Sequence, residues 1–250
     1  MLTRRASRVV CITSSVARFC ADVVGLPDEK LRVVHYGLDA PPDAWGATDT
    51  TAVAAGSRVL LAVCRLVEQK GLDVAVRALR TIADEVPAAT LVVLGEGPER
   101  DRLQRLAAEL GVQGYLFLPG RVGNVAAWLR RAELLVHPAR WEGFGLALLE
   151  AMHASRPIVA SGVASIPEIV VDGETGILVP SNDATALADA ILALLRDRDR
   201  ARLLGEAGRR RALDAFSVDR MTARTIAIYE EALASPRQTR RRPSAHDSTE

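Results

Sequence analysis

Trp141-Glu142-Gly143-Phe144-Gly145-Leu146-Ala147-Leu148-Leu149-Glu150-Ala151-Met152 is the stretch on which the reading of this chain turns. Upstream, Leu134, Leu135 and Val136 form an apolar run closed by Pro138, the pattern of a short buried strand. Downstream, Leu146, Leu149, Ala151 and Met152 are strong helix formers with an apolar stripe. Strand, glycine-bearing loop and helix mouth in that order predict an anion site made by Gly143, Phe144, Gly145 and Leu146. The first amides of a helix lack intrahelical partners, and the macrodipole favours negative charge there. Glu150 falls about one turn inside the helix. Helical side chains lean toward the N-terminus, which puts its carboxylate roughly 6 Å from the anion position. That is the reach from a nucleotide phosphate to ribose hydroxyls, which a carboxylate reads well.

Two carboxylates eight residues apart are common in a chain with 31 acidic residues, so spacing alone says little. The whole string Glu142-Gly143-Phe144-Gly145-Leu146, three residues, Glu150-Ala151-Met152 says more. It resembles the E-x7-E signature of retaining GT-B glycosyltransferases, in particular glycosyltransferase family 4, also called glycosyl transferases group 1.

Other strings carry the same resemblance. Arg65 and Lys70, in Cys-Arg-Leu-Val-Glu-Gln-Lys-Gly-Leu after the strand Val59 to Val63, are similar to the family's R-x4-K-G motif. The resemblance implies that they hold a donor pyrophosphate. The physics agrees, because breaking a sugar–phosphate bond builds charge on the leaving diphosphate. A fixed cation at ~4 Å contributes on the order of 4 kcal/mol at an effective dielectric near 20. Gly95-Glu96-Gly97-Pro98 fails the dinucleotide fingerprint, since Arg100 stands at the third glycine position, but in the family this loop lies beside the nucleotide. Gly120-Arg121-Val122 corresponds to the family's base-binding loop, with main-chain contacts near Arg121 and Val122. Pro157 to Ser161, Ile166 to Val170 and Asp172 to Val179 also match and read as scaffold. Ala164-Ser165 and Ser155 stand where glycines are common in the family, which predicts a locally altered loop shape. No Asp-x-Asp and no His/Cys cluster suits a divalent ion, so a metal-free site without a cofactor is expected.

The chain around these motifs is globular in composition, and its net charge of +1 gives no field favouring nucleic acid. Cys11, Cys20 and Cys64 lack metal or disulfide spacing and read as reduced thiols. With no signal-peptide pattern and no apolar run of ~20 residues, the expected location is cytoplasmic. From Arg58, strands and helices alternate. This predicts an α/β fold, a Rossmann-like parallel sheet with helices on both faces. The predicted strands are Val59–Val63, Thr90–Leu94, Tyr115–Leu118, Leu134–His137, Pro157–Ala160 and Gly176–Val179. The predicted helices are Leu72–Glu85, Arg100–Leu110, Val125–Arg131, Leu146–His153, Ile166–Val171, Ala184–Arg196 and Ala201–Ala215.

Residues 1–40 read as strand, helix and strand, with Ser14 or Ser15 capping a helix from Val16 to Val24. Residues 41–57 read as a linker, 58–216 as the Rossmann-like domain, 217–234 as a terminal helix capped by Ser217, and 235–250 as a disordered tail containing Arg240 to Arg242. The four histidines, His35, His137, His153 and His246, read as structural.

The resemblance implies the C-terminal, donor-binding half of a GT-B enzyme, with most of the N-terminal acceptor domain absent and residues 1–40 its remnant. It implies transfer of a sugar from a nucleotide diphosphate sugar with retention. Arg65 and Lys70 neutralise the diphosphate, Glu142 with the Gly143-Phe144 backbone orients the sugar, and Glu150 grips the ribose. The alternatives left open are a non-catalytic nucleotide-sugar-binding module, a truncated inactive fragment, and one half of a two-chain enzyme whose partner supplies the acceptor domain. Peripheral membrane contact also stays open.

Overall fold

The computed structural model describes residues 6–39, 50 and 53–234. Most of the expected linker and all of the expected tail, with Arg240 to Arg242 and His246, lie outside the described residues.

The described residues form two parallel sheets. The smaller pairs β1 (Val9–Cys11) with β2 (Leu31–Val33), joined through α1 (Ser14–Asp22). The larger contains β3 (Arg58–Val63), β4 (Ala89–Leu94), β5 (Leu116–Gly120), β6 (Leu134–His137), β7 (Ile158–Ser161) and β8 (Ile177–Val179), in the order β5-β4-β3-β6-β7-β8. It is the expected Rossmann-like sheet. Its order reverses between β3 and β6, and ligands of open α/β sheets bind beyond the carboxyl ends of the strands at such a switch point. Around it lie α2 (Leu72–Glu85), α3 (Arg100–Glu109), α4 (Val125–Arg131), α5 (Leu146–His153), α6 (Ile166–Ile169), α7 (Ala184–Arg196), α8 (Arg198–Ala215) and α9 (Val218–Ala234).

The central strands are apolar at successive positions because both faces are covered. In β3, Leu60 and Ala62 meet the layer of α2, α3 and α7, while Val59 and Leu61 meet that of α4, α5 and α6. The helix α5 is buried on most of its circumference through Leu148, Leu149, Ala151, Met152 and His153. Its position beside the switch point is therefore fixed by burial rather than by a surface stripe.

Several boundaries differ from the sequence reading. The cap of α1 is Thr13, not Ser14 or Ser15: its backbone is extended and its hydroxyl accepts from the Val16 amide at 3.1 Å. β5 begins after a 3₁₀ turn at Gln113–Tyr115 and runs on to Gly120, which pairs with Leu94 after a register shift. α6 is a single turn, since Val170 is already extended. α8 starts at Arg198, where the Asp197 carboxylate accepts from the Arg200 amide at 2.9 Å. Ser155 and Ala164 take φ of 53° and 48°, the left-handed region that glycine favours. The backbone there thus holds a conformation that glycine favours despite the added Cβ atoms.

The terminal helix α9 is capped by Ser217, whose hydroxyl accepts from the Arg220 amide. It meets the smaller sheet through Glu231, paired with Arg8 and Arg32, and through Met221, which accepts from the Gly37 amide. None of its residues is buried, and Ile226, Tyr229 and Leu233 are exposed.

Candidate functional site

The loops that leave β3 and β6 face each other across the switch point, and a set of contacts fastens one to the other. Arg140 makes a two-pronged pair with Asp73, 2.8 Å on each arm, and donates to the Glu68 carbonyl. Its own amide donates to Gln69 O, and the Gln69 side chain donates to Trp141 O at 3.0 Å. The hydrogen bonds that Arg140 donates to the Asp73 carboxylate hold the Arg140 pKa above its usual value. Burial works to raise the Asp73 carboxyl, but Arg140 outweighs it and holds it low. Gly71, at φ 61°, ends the β3 loop where a Cβ would stand 2.0 Å from Pro138 O, so the two backbones approach as only glycine allows.

Between these loops lies a cavity of about 460 Å³ lined by Arg65, Lys70, Glu142, Gly143, Phe144, Gly145 and Leu146, the residues singled out in the two loops. Lys70 Nζ donates to Glu142 Oε2 at 2.5 Å, and His137 Nε2 lies 3.0 Å from the same oxygen. The Gly143 amide donates to Oε1 at 3.1 Å. Burial alone raises a carboxyl pKa, yet the hydrogen bonds from His137 and Lys70 outweigh it and bring Glu142 down to about 2. Glu142 is therefore a carboxylate, and His137 is the donor in their contact. The Glu142 carbonyl accepts from the fully buried Ser165 hydroxyl at 2.8 Å. Arg65 is exposed at the cavity edge, and its guanidinium makes no hydrogen bond or ion pair with a described residue.

Gly145, at φ 92°, turns the chain into α5, and the absence of a Cβ leaves room for Leu148 and the Glu142 side chain. The amides of Leu146 and Ala147 open the helix toward the cavity. Phe144 is buried among His35, Tyr36 and Phe216, with ring centroids 5.2 to 6.3 Å away. Cys64 lines the same cavity, and burial pushes its thiol up to about 12, which leaves it uncharged.

The remaining predicted residues stand around this cavity rather than in its lining. Glu150 is part-buried on α5, its carboxyl group has no hydrogen-bond partner among the described residues, and burial raises its pKa. Gly95 and Gly97 lie against the β3 loop, where a Cβ would come within 2.0 Å of Cys64 O and 2.2 Å of Leu66 O. The Gly95 amide donates to Gly120 O, and Leu66 exchanges backbone hydrogen bonds with Glu96 and Glu99, so the loops after β5, β4 and β3 form one connected rim. Arg121 is exposed on that rim, and Val122 packs on the core beneath it.

Sequence reasoning missed four contributors. His137 reads as a structural strand end, although a histidine closing a strand five residues before Glu142 is a usable signal. Ser165 reads only as a missing glycine. Ile12 and Tyr36 also line the cavity, brought there by the smaller sheet, and no local pattern announces that. Among the described residues no group of His, Cys, Asp or Glu is placed to hold a metal ion, and no helix is long and apolar enough to cross a membrane.

Comparison with known proteins agrees with the fold and with the motifs. D-inositol 3-phosphate glycosyltransferase of Nocardia farcinica is 35% identical over 213 residues, covering 80% of this chain and 47% of that protein. GDP-mannose-dependent alpha-(1-6)-phosphatidylinositol monomannoside mannosyltransferase of Mycolicibacterium smegmatis is 34% identical over 207 residues, covering 79% of this chain and 49% of that protein. The chain thus spans about half the length of these curated relatives. Sucrose-phosphate synthase from Thermosynechococcus elongatus superposes with a TM-score of 0.81 at 26% identity, over 94% of this chain and 60% of that one. The family model described as glycosyl transferases group 1 matches residues 49–211, through both switch-point loops. With the paired loops, the doubly wound sheet and this match in agreement, the chain belongs to the glycosyl transferases group 1 family.

Proposed function

We propose that this chain supplies the donor site of a retaining glycosyltransferase of family 4 type, which moves a sugar from a nucleotide diphosphate sugar to an acceptor. One observation carries the reading. Lys70 and Glu142, from loops on opposite sides of the switch point, meet at 2.5 Å beside the mouth of α5, with Arg65 unpaired in the same cavity. The names of the two curated relatives, both glycosyltransferases, support it.

An ammonium has three donors, and Glu142 takes one, which leaves Lys70 two for a phosphate oxygen. Arg65 offers a planar fork suited to a second phosphate oxygen. With the first amides of α5 these groups stabilise charge as it gathers on the leaving diphosphate, and no proton donor is needed there. Glu142 already accepts three hydrogen bonds on two oxygens. A carboxylate has about four such sites, so one is left for a sugar hydroxyl. Glu150, displaced about a turn along α5, serves the ribose, and the loops bearing Gly95, Gly97, Arg121 and Val122 serve the rest of the nucleotide. The leaving phosphate takes the acceptor's proton on the face it departs from, which yields retention without a covalent carboxylate intermediate. No cofactor enters this scheme, and a cytoplasmic setting suits a nucleotide-activated donor.

Calorimetric titration of a panel of nucleotide diphosphate sugars tests the reading. Arg65→Ala and Lys70→Ala should each weaken donor binding roughly a hundredfold, two steps of about 1.36 kcal/mol. Unchanged affinity in both variants would refute the phosphate role. Tight binding with no transfer to any acceptor or water would instead favour a nucleotide-sugar-binding module.

A further inference from the structure

Among the described residues a second cavity is larger than the proposed donor site. It lies at the other end of the sheet, where β6 and β7 begin, between the end of α7 and one face of α8, and encloses about 870 Å³. Its size falls within the roughly 300–1,000 Å³ of small-molecule sites. Six arginines line it, Arg131, Arg156, Arg198, Arg202, Arg209 and Arg210, against two carboxylates, Glu133 and Glu206. That is an excess of four positive charges in one concavity of a chain whose whole net charge is +1.

Local pairing leaves that excess in place. Glu133 is shared with Arg58, Glu206 pairs with Arg202, and Arg131 is spent on the carbonyls of Thr50, Val53 and Ala54. The guanidinium groups of Arg198, Arg209 and Arg210 make no hydrogen bond or ion pair with a described residue. Arg156 comes from a different element and is held in place. Its Nε donates to Ala154 O at 3.1 Å and its Nη1 to Ala132 O at 3.0 Å, while Nη2 has no partner among the described residues. Burial works against its charge, which the nearby Glu133 only partly offsets.

A solvated basic helix face accounts for α8 alone. It does not account for a part-buried, oriented guanidinium on the facing wall. Guanidinium forks match phosphate oxygens in pairs, and gathering several in a concavity is unfavourable until an anion enters. Leu134, Pro157, Leu194 and Leu213 line the same space and give an apolar body somewhere to rest.

We propose that this cavity is a second ligand site, separate from the donor site, which takes a multiply charged phosphate-bearing molecule through Arg156, Arg198, Arg209 and Arg210. The phosphate arrives either on a soluble metabolite or on a lipid headgroup.

The probe is inorganic tripolyphosphate, titrated calorimetrically into the full chain. The donor cavity also holds cations, so the titration is repeated in the Arg65→Ala/Lys70→Ala double variant. Binding should persist there and should weaken at least about tenfold on adding Arg209→Gln and Arg210→Gln, two exposed changes whose fold is verified by circular dichroism. Sedimentation with phosphatidylcholine vesicles, with and without phosphatidylglycerol, separates the sources. Capture that needs phosphatidylglycerol and is lost with Arg209→Gln/Arg210→Gln assigns the phosphate to a headgroup. Tripolyphosphate binding without vesicle capture assigns it to a soluble molecule. The proposal is overturned if the Arg65→Ala/Lys70→Ala variant binds neither probe, or if binding is indifferent to Arg209 and Arg210.

Discussion

Glu142 carries three of the hydrogen bonds that shape the cavity between the switch-point loops, and its ionisation links stability to pH. Its folded pKa of about 2 lies below the ordinary 4.5, so between these values the unfolded chain binds the extra proton. Its contribution is therefore complete above about pH 5 and is lost as pH falls toward 2, a total of roughly 3 kcal/mol. Glu142→Gln should remove most of that acid sensitivity, as read from unfolding midpoints in urea across this range. Equal pH slopes for parent and variant would contradict the assignment. Ser165 is the second decisive residue. Its replacement by alanine leaves the buried Glu142 carbonyl without its donor and should destabilise the fold by about 1–3 kcal/mol in chemical denaturation. A loss below about 0.5 kcal/mol would show the carbonyl to be satisfied otherwise. In the sequence Ser165 is visible only as a departure from glycine, because the carbonyl it serves is 23 residues away.

Elements fared better than contacts in the reading of the sequence. The periodicities of α2, α4, α5 and α7 place their ends as the structure has them, because each helix is bounded by a glycine, a capping Asn or Asp, or a turn that local chemistry announces. The end of β5 was less legible, since Pro119 hides a pairing that resumes at Gly120 after a register shift. The R-x4-K and E-x7-E strings identified the two loops that converge, while the Arg140–Asp73 and Gln69–Trp141 contacts that hold those loops together have no spacing signature. Gly71 is where this fastening is most exposed to substitution. Alanine there meets both the left-handed φ and the Pro138 carbonyl, so about 3 kcal/mol of stability should be lost in urea unfolding, together with donor affinity. A variant with parent stability and parent affinity would mean that the loops can part without consequence.

At the scale of the molecule, the smaller sheet is joined to the larger by polar contacts as well as by the packing of His35 and Tyr36 on Phe144 and of Ile12 and Leu38 on the core. The Glu168 carboxylate of α6 accepts from the Ser14 and Ser15 amides at 2.8 and 2.9 Å and meets His35 Nε2 at 3.1 Å. Burial opposes its charge, but these donors outweigh that and hold its pKa below the usual carboxylate range. His153 contacts the Leu38 carbonyl, and the Leu38 amide donates to Phe216 O. Glu168→Gln, which keeps one acceptor and loses the charge, should weaken the junction by about 1–2 kcal/mol. Hydrogen exchange of the α1 amides should then quicken about tenfold while that of β3 is unchanged; identical exchange in α1 would show that Glu168 is not the fastening. Because Ile12 and Tyr36 stand in the wall of the cavity between the switch-point loops, that cavity is a seam shared by two sheets. Whatever binds in it spends part of its affinity on keeping the smaller sheet seated, so occupancy and the integrity of that junction rise and fall together.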